Sequence, residues 1–177
     1  WIDSEKLRED EKIKKVLKHG IMKISFIGLN ECLIVLKNKS HFESSDSQKL
    51  GLKIVKYMKD KTEEFSKKYN LNFELSGEYD ENIAKEFLEL DRVIYGKIKD
   101  VTDKEEYTKS FEVNDREVTN NYIKKIKIEA PYHELTNGGH ITEIHIDKKD
   151  INNIDIEDIL ENMYKNDIGF AKVIFDH

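Results

Sequence analysis

The single cysteine of this chain, Cys32, has the widest chemical repertoire of its residues. Alternating apolar and polar residues before it predict a strand over Ile21–Ile27. Gly28 then lets the chain turn, so we expect Cys32 to stand clear of the strand end. A thiol placed there can act as a nucleophile, a metal ligand or a radical carrier. The plainer alternative is a small buried apolar residue beside Leu33.

A second candidate is the run Asn137-Gly138-Gly139-His140. Its two glycines would allow backbone N–H groups to approach a phosphate or a sugar closely. The alternative is an ordinary glycine-rich turn that leads into the next strand.

Other chemistry finds less support in the residue pattern. His133, His140 and His145 have no cysteine partner and no HExxH spacing, so no zinc or other metal site is expected. Most simply, they are strand or loop residues. A cysteine hydrolase would need a local nucleophile signature around Cys32, and there is none. The sequence also contains no glycine-rich phosphate-binding motif of the type G-x-x-x-x-G-K-[ST] or G-x-G-x-x-G.

The elements that must position these residues alternate between strand and helix patterns. Five strands are predicted, over Ile21–Ile27, Leu71–Leu75, Tyr107–Val113, His140–Ile146 and Ile168–Phe175. Helices are predicted over Asp10–His19, Ser45–Tyr69, Ile83–Ile94, Val118–Ile128 and Ile156–Asn166. This alternation predicts an α/β fold, and the absence of repeats or linkers predicts one domain over 1–177. Strands at the ends of such a chain would be open edges, which predicts self-association or a partner chain.

Two of the predicted helix ends depend on single residues. Ser45 is expected to cap its helix, with Gln48 reaching back to form a capping box. The helix that follows Val118 is expected to end before Pro131, the only proline.

Composition describes a highly charged globular chain of 177 residues with a net charge of −6. An acidic balance argues against nucleic-acid binding, and no apolar run approaches the roughly 20 residues of a membrane helix. One cysteine excludes an internal disulfide framework, so a reducing, cytoplasmic setting is expected. Because the chain starts at Trp1 without an initiator methionine, we expect a trimmed or excised segment of a longer protein.

Several segments of the sequence resemble motifs of the anaerobic, oxygen-sensitive (class III) ribonucleoside-triphosphate reductases, in the same order and with the same spacing. They are Ser25–Leu33, Gly51–Met58, Leu71–Phe73, Val101–Phe111 and Glu129–Ile141. The first resembles the family's finger-loop word S-I-G-F-I-G-L-A-E-C-L, and the last resembles E-A-P-Y-H-A-L-T-N-A-G-H-I. The resemblance covers almost the whole chain from about Lys15 onward.

The resemblance implies a role for each candidate. The fold would be half of a ten-stranded α/β barrel, and Cys32 would carry the thiyl radical that abstracts the ribose 3′ hydrogen. Asn30 and the run Asn137–His140 would contact the ribonucleoside triphosphate. No cofactor is expected in this chain itself. The full-length family implies formate and a glycyl radical, which an iron–sulfur activase generates with S-adenosylmethionine.

Some motifs of the sequence differ from the family pattern. Because of these differences, two hypotheses about function remain open. The family's T-P-A-E-G-L-S-G-R loop is replaced here by the acidic stretch Glu78–Glu86, which would repel a triphosphate. An H-V-P word is changed at Glu112 and Asn114, and Ile174–Asp176 stands where the family has N-H-P. The first hypothesis is a reductase segment that is inactive when isolated. The alternative is a diverged, non-catalytic remnant that binds nucleotides or proteins.

Overall fold

The computed structural model describes residues 17–78, 80–114, 121–147 and 153–176. Within these ranges, the chain forms four strands and five helices, an α/β arrangement as predicted. The elements are β1 (Ile21–Ser25), α1 (Leu29–Lys37), α2 (Ser45–Tyr69), β2 (Asn72–Ser76), α3 (Glu81–Tyr95), α4 (Tyr122–His133), β3 (Thr142–Asp147), α5 (Ile156–Lys165) and β4 (Ala171–Asp176).

The strands form two parallel pairs. β1 pairs with β2 from Ile21 opposite Asn72 to Ser25 opposite Ser76. β3 pairs with β4, beginning with Thr142 opposite Ala171. Parallel strands need a crossover connection, which α1 and α2 supply in the first pair and α5 in the second. The described chain therefore consists of two strand–helix–strand units connected through α3 and α4.

The strand predicted over Tyr107–Val113 is wrong. This segment forms turns with a single antiparallel bridge between Ile27 and Lys109. Its backbone hydrogen bonds go to the turn after β1: Gly28 N donates to Thr108 O at 2.8 Å. The alternating apolar residues reflect anchorage of this loop in the core, and no strand ladder is needed to bury them.

Two predicted helix ends are also corrected. Ser44 caps α2, because its hydroxyl accepts from the backbone of Ser47, whereas the Gln48 amide donates to the carbonyl of Ile128. Pro131 lies inside α4, which continues to His133. A proline there removes one helical hydrogen bond near the helix end, and buried residues of α4 hold its last turn in place.

Two predictions fall partly on residues outside the described ranges. They are most of the helix over Asp10–His19 and the first residues of the helix over Val118–Ile128. In the described part of the chain, no helix is both long and apolar enough to span a bilayer.

The core has two main clusters. One contains Leu29, Leu33, Val55, Leu75, Phe111 and Tyr132, and the other contains Tyr122, Ile126, Ile144, Ile146, Ile159 and Met163. The rings of Phe111 and Tyr132 stack with centroids 4.7 Å apart, so the loop after α3 is packed directly against α4. Both ends of α4 therefore contribute to the core, one end to each cluster.

Candidate functional site

Cys32 lies in the first turn of α1. Gly28 precedes this helix with φ 72°, a left-handed conformation that favours glycine, and its carbonyl accepts from the Cys32 backbone at 3.0 Å. Leu29 and Leu33 face the core, whereas Cys32 is exposed. The interpretation of Cys32 as a buried apolar residue is therefore wrong. Its sulfur is presented by a helix face.

An apolar cleft of about 620 Å³ opens beside Cys32. Its lining comes from the turn before α1, from α1, from α3 and from the loop after α3. The apolar side chains among the lining residues are Ile27, Val35, Leu36, Phe87, Leu90, Tyr95, Ile98, Val101 and Tyr107. Several are more than half exposed, including Val35, Leu36 and Phe87. The thiol therefore borders a concave, mostly hydrophobic surface.

The surroundings of Cys32 shift the pKa of its thiol. Partial burial of the sulfur against its neighbours, and then the negative charge of Glu31, raise the pKa of the exposed Cys32 above its ordinary value of 9.0. Glu31 itself is buried and accepts hydrogen bonds from Lys104 and Thr108. At neutral pH, the sulfur consequently keeps its proton, which suits hydrogen-atom exchange better than nucleophilic attack.

Tyr107 closes one side of the same cleft. Its hydroxyl donates to Asp91 at 2.7 Å. Burial and this carboxylate both raise the pKa of Tyr107, so the phenol stays neutral.

The run from Asn137 to Gly139 covers the outer edge of β2. The amide oxygen of Asn137 accepts from Leu75 N at 3.1 Å, and Gly138 N donates to Leu75 O at 2.7 Å. Gly77 N donates to Gly139 O at 2.8 Å, and Gly139 has φ 105°. A Cβ atom on Gly138 would lie 2.9 Å from Leu75 O, which explains the need for glycine. These polar groups are therefore occupied by the sheet edge.

Asn30 is buried in α1, with only 1% of its surface exposed. Neither atom of its side-chain amide has a hydrogen-bond partner among the described residues. A buried amide of this kind is costly to leave unpaired, so Asn30 is a place where a further partner would be favourable.

His140 lies in a second polar centre, together with Glu129 and His133 of α4. One carboxylate oxygen of Glu129 and one ring nitrogen of each histidine lie within 4.8 Å of one another. Thr142 links two of them: its hydroxyl donates to Glu129 at 2.7 Å and lies 2.8 Å from His133 Nε2. A cleft of about 660 Å³ is lined by both histidines.

Burial shifts the pKa values of Glu129, His133 and His140. It lowers the pKa of His133 to about 4 and, with help from the neighbouring His133, that of His140 to about 3. It raises the pKa of Glu129 to about 7, although Lys125 and two hydrogen bonds act in the opposite direction. Both imidazoles are therefore neutral at physiological pH.

The structure thus divides the predicted site residues between two places. The Cys32 cleft and the His133–His140 cleft share no lining residue. Sequence reasoning missed Glu31 and Glu129. Glu129 and His133 are four residues apart in a helical segment, a spacing that could have indicated a shared helix face.

Comparison with known proteins gives consistent results. The family model "Anaerobic ribonucleoside-triphosphate reductase" matches residues 1–176. Among curated relatives, the anaerobic ribonucleoside-triphosphate reductase of Haemophilus influenzae is 32% identical over 139 residues, which are 77% of this chain and 20% of the relative. That of enterobacteria phage T4 is 32% identical over 143 residues, 80% of this chain and 22% of the relative. The chain thus spans about a fifth of the length of these relatives.

A solved structure shows the same fold. The anaerobic ribonucleotide reductase from Thermotoga maritima, crystallised with glycerol in the active site, matches with a TM-score of 0.61 and 14% identity. The match covers 86% of this chain and 24% of that chain.

Proposed function

This chain belongs to the anaerobic ribonucleoside-triphosphate reductase family, and we propose that it serves as one segment of a longer reductase. The reductase would convert ribonucleoside triphosphates to deoxyribonucleotides for DNA synthesis. The observation that carries this proposal is a family match over residues 1–176 in a chain that spans about a fifth of its relatives. We expect the isolated chain to be inactive.

Within this proposal, Cys32 carries the hydrogen atom. A thiyl radical on its sulfur would take the hydrogen from the ribose 3′ carbon, which forms S–H and leaves a carbon radical. A glycyl radical elsewhere in the longer protein would first take the hydrogen atom from the Cys32 thiol, which breaks the S–H bond and forms a glycine C–H bond. Support comes from the exposed position of Cys32, its protonated state and the apolar cleft beside it. An apolar surface that is closed by the remaining chain would exclude water from the radical.

The ribonucleotide contacts predicted for Asn30 and for Asn137–His140 stay predictions. Asn30 has an unpaired buried amide, which favours a contact with a further group. Asn137 and Gly138 are already bonded to Leu75, so their contribution would be to hold β2 in place.

The test of Cys32 uses the longer protein, activated anaerobically. Cys32→Ser should abolish deoxynucleotide formation, because an O–H bond is too strong to exchange hydrogen with the sugar. Lys37→Ala, on the last turn of the same helix, is the matched control and should retain activity. Turnover by Cys32→Ser would assign the radical-carrying thiol to another part of the protein.

The alternative is a non-catalytic remnant that contacts a protein partner. The observation that favours it is an exposed apolar surface on α3, formed by Phe87, Leu90, Val93 and Ile94. In a reductase segment, the remaining chain would cover the same surface. Intact mass of the native polypeptide separates the two: a product several times longer supports the segment, and a product of this length supports the remnant.

A further inference from the structure

We propose that Glu129, His133 and His140 form a binding site for a divalent transition-metal ion such as Zn²⁺. Two histidines and one carboxylate are a ligand set that zinc and other first-row metals use. The site would open into the cleft that both histidines line, so that a water or a substrate atom could complete the coordination. This inference does not depend on the reductase proposal.

Two segments of the chain supply the three ligands. Glu129 and His133 lie one helical turn apart on α4. His140 comes from the loop whose hydrogen bonds to β2 fix its position. The packing of Gly77 also fixes the imidazole, because a Cβ atom there would lie 2.5 Å from His140 Nδ1. The position of His140 is therefore held by the bonds of its loop to β2 and by the close packing of Gly77.

An independent observation points to a ligand. His140 is only 7% exposed, and its Nε2 atom has no hydrogen-bond partner among the described residues. Its Nδ1 atom lies on the other side of the ring, 3.4 Å from the Ser110 hydroxyl. A buried imidazole nitrogen that is left unpaired beside a second imidazole and a carboxylate would gain a partner when a metal binds.

The surrounding groups support metal binding. Thr142 contacts both Glu129 and His133, which is the type of outer hydrogen bond that orients metal ligands. Val113 N donates to Glu129 Oε1 at 2.8 Å and Thr142 donates to Oε2, so the carboxylate is oriented through both oxygens. A neutral imidazole has one ring nitrogen with a lone pair, so each histidine can supply one ligand atom.

The positive charge of Lys125, next to the proposed metal site, is balanced by two carboxylates. The ammonium nitrogen of Lys125 lies 3.8 Å from Glu129 and 3.6 Å from Glu112, so two carboxylates share its charge.

The distances between the ligand atoms are longer than in a metal complex. These atoms lie within 4.8 Å of one another, and tetrahedral bonds of about 2.0–2.1 Å require separations of about 3.4 Å. Metal binding would therefore draw the ligand atoms closer together by up to about 1.4 Å.

The experiment is titration of the metal-free 177-residue chain with Zn²⁺, followed by calorimetry, and with Co²⁺, followed by visible absorption. We expect one ion per chain and tetrahedral or five-coordinate Co²⁺ bands. His133→Gln and His140→Gln should each weaken binding at least tenfold, whereas His19→Gln, on the exposed surface, should not. Circular dichroism of each metal-free variant checks that it is folded.

A second measurement uses the unmodified protein, so it does not depend on the folding of variants. In ¹⁵N-histidine NMR spectra, Zn²⁺ should shift one ring nitrogen of His133 and one of His140. Absence of saturable binding, equal binding by all three variants, or shifts confined to other histidines would overturn the site.

Discussion

Glu31 Oε1 lies 2.8 Å from the ammonium nitrogen of Lys104, a residue 73 positions later in the chain. The Glu31 side chain is almost fully buried, and Thr108 donates to the same carboxylate. This ion pair therefore fixes the turn that carries Cys32 against the loop after α3. The first prediction tests its contribution to stability.

Glu31→Gln should lower the free energy of unfolding by about 1–3 kcal/mol, because it removes the charge that Lys104 and Thr108 contact in a buried position. Urea denaturation measures the change. Glu161→Gln removes the acid of an exposed pair with Lys165 and should cause little loss. Equal losses in the two variants would show that the buried pair contributes no more than a surface pair.

A second prediction concerns the contact between Gly51 and Tyr132. A Cβ atom on Gly51 would lie 2.4 Å from the Tyr132 hydroxyl and 3.1 Å from a Leu33 methyl group. Gly51→Ala should therefore destabilise the chain by about 1–3 kcal/mol. Tyr132→Phe removes the hydroxyl, so it should reduce the cost of Gly51→Ala in a double-mutant cycle measured by denaturation. Additive effects would contradict this contact, and Gly20→Ala, where the nearest atom is 3.6 Å away, is the control.

The pH dependence of stability provides a third prediction. His41 is buried, and burial lowers its pKa from 6.5 to about 4. Between these values the unfolded chain binds a proton that the folded chain does not. The free energy of unfolding should therefore fall as pH decreases from about 6.5 to about 4, and this contribution should level off below about 4.

His41→Gln should reduce that slope by up to about 1.4 kcal/mol per pH unit. The measurement is urea denaturation at several pH values, and the slope is the readout because the substitution also changes packing. The exposed His19→Gln variant should keep the original slope. A slope that is unchanged in His41→Gln would mean that His41 titrates alike in both states.

The reactivity of Cys32 is the fourth prediction. Because the thiol is exposed, iodoacetamide should modify one residue per native chain. Because its pKa is raised, the rate should increase with pH through values above 9.0. Mass spectrometry follows the reaction, with free cysteine as reference. A rate at neutral pH faster than that of free cysteine would contradict the raised pKa.

Local patterns in the sequence predicted most of the regular elements. Strands at Ile21–Ser25, Asn72–Ser76 and Ala171–Asp176 fall within or beside the predicted ranges, because alternation of apolar residues marks a half-buried strand. The α3 helix also ends before Gly96, as predicted. The same alternation wrongly predicted a strand over Tyr107–Val113. This segment is a loop whose apolar residues are buried by long-range contacts, and local periodicity does not reveal such contacts.

The sequence by itself determined the family, the α/β class and the presence of one thiol, because these depend on words and periods within short stretches. Only the tertiary structure decided which polar groups meet. It paired Glu31 with Lys104, and it brought His140 to Glu129 and His133. It also placed the amide oxygen of Asn137 on the edge of β2, where it accepts from Leu75 N. These contacts depend on how distant segments pack together. A buried polar group needs a hydrogen-bond partner, and the tertiary fold decides which residue supplies it.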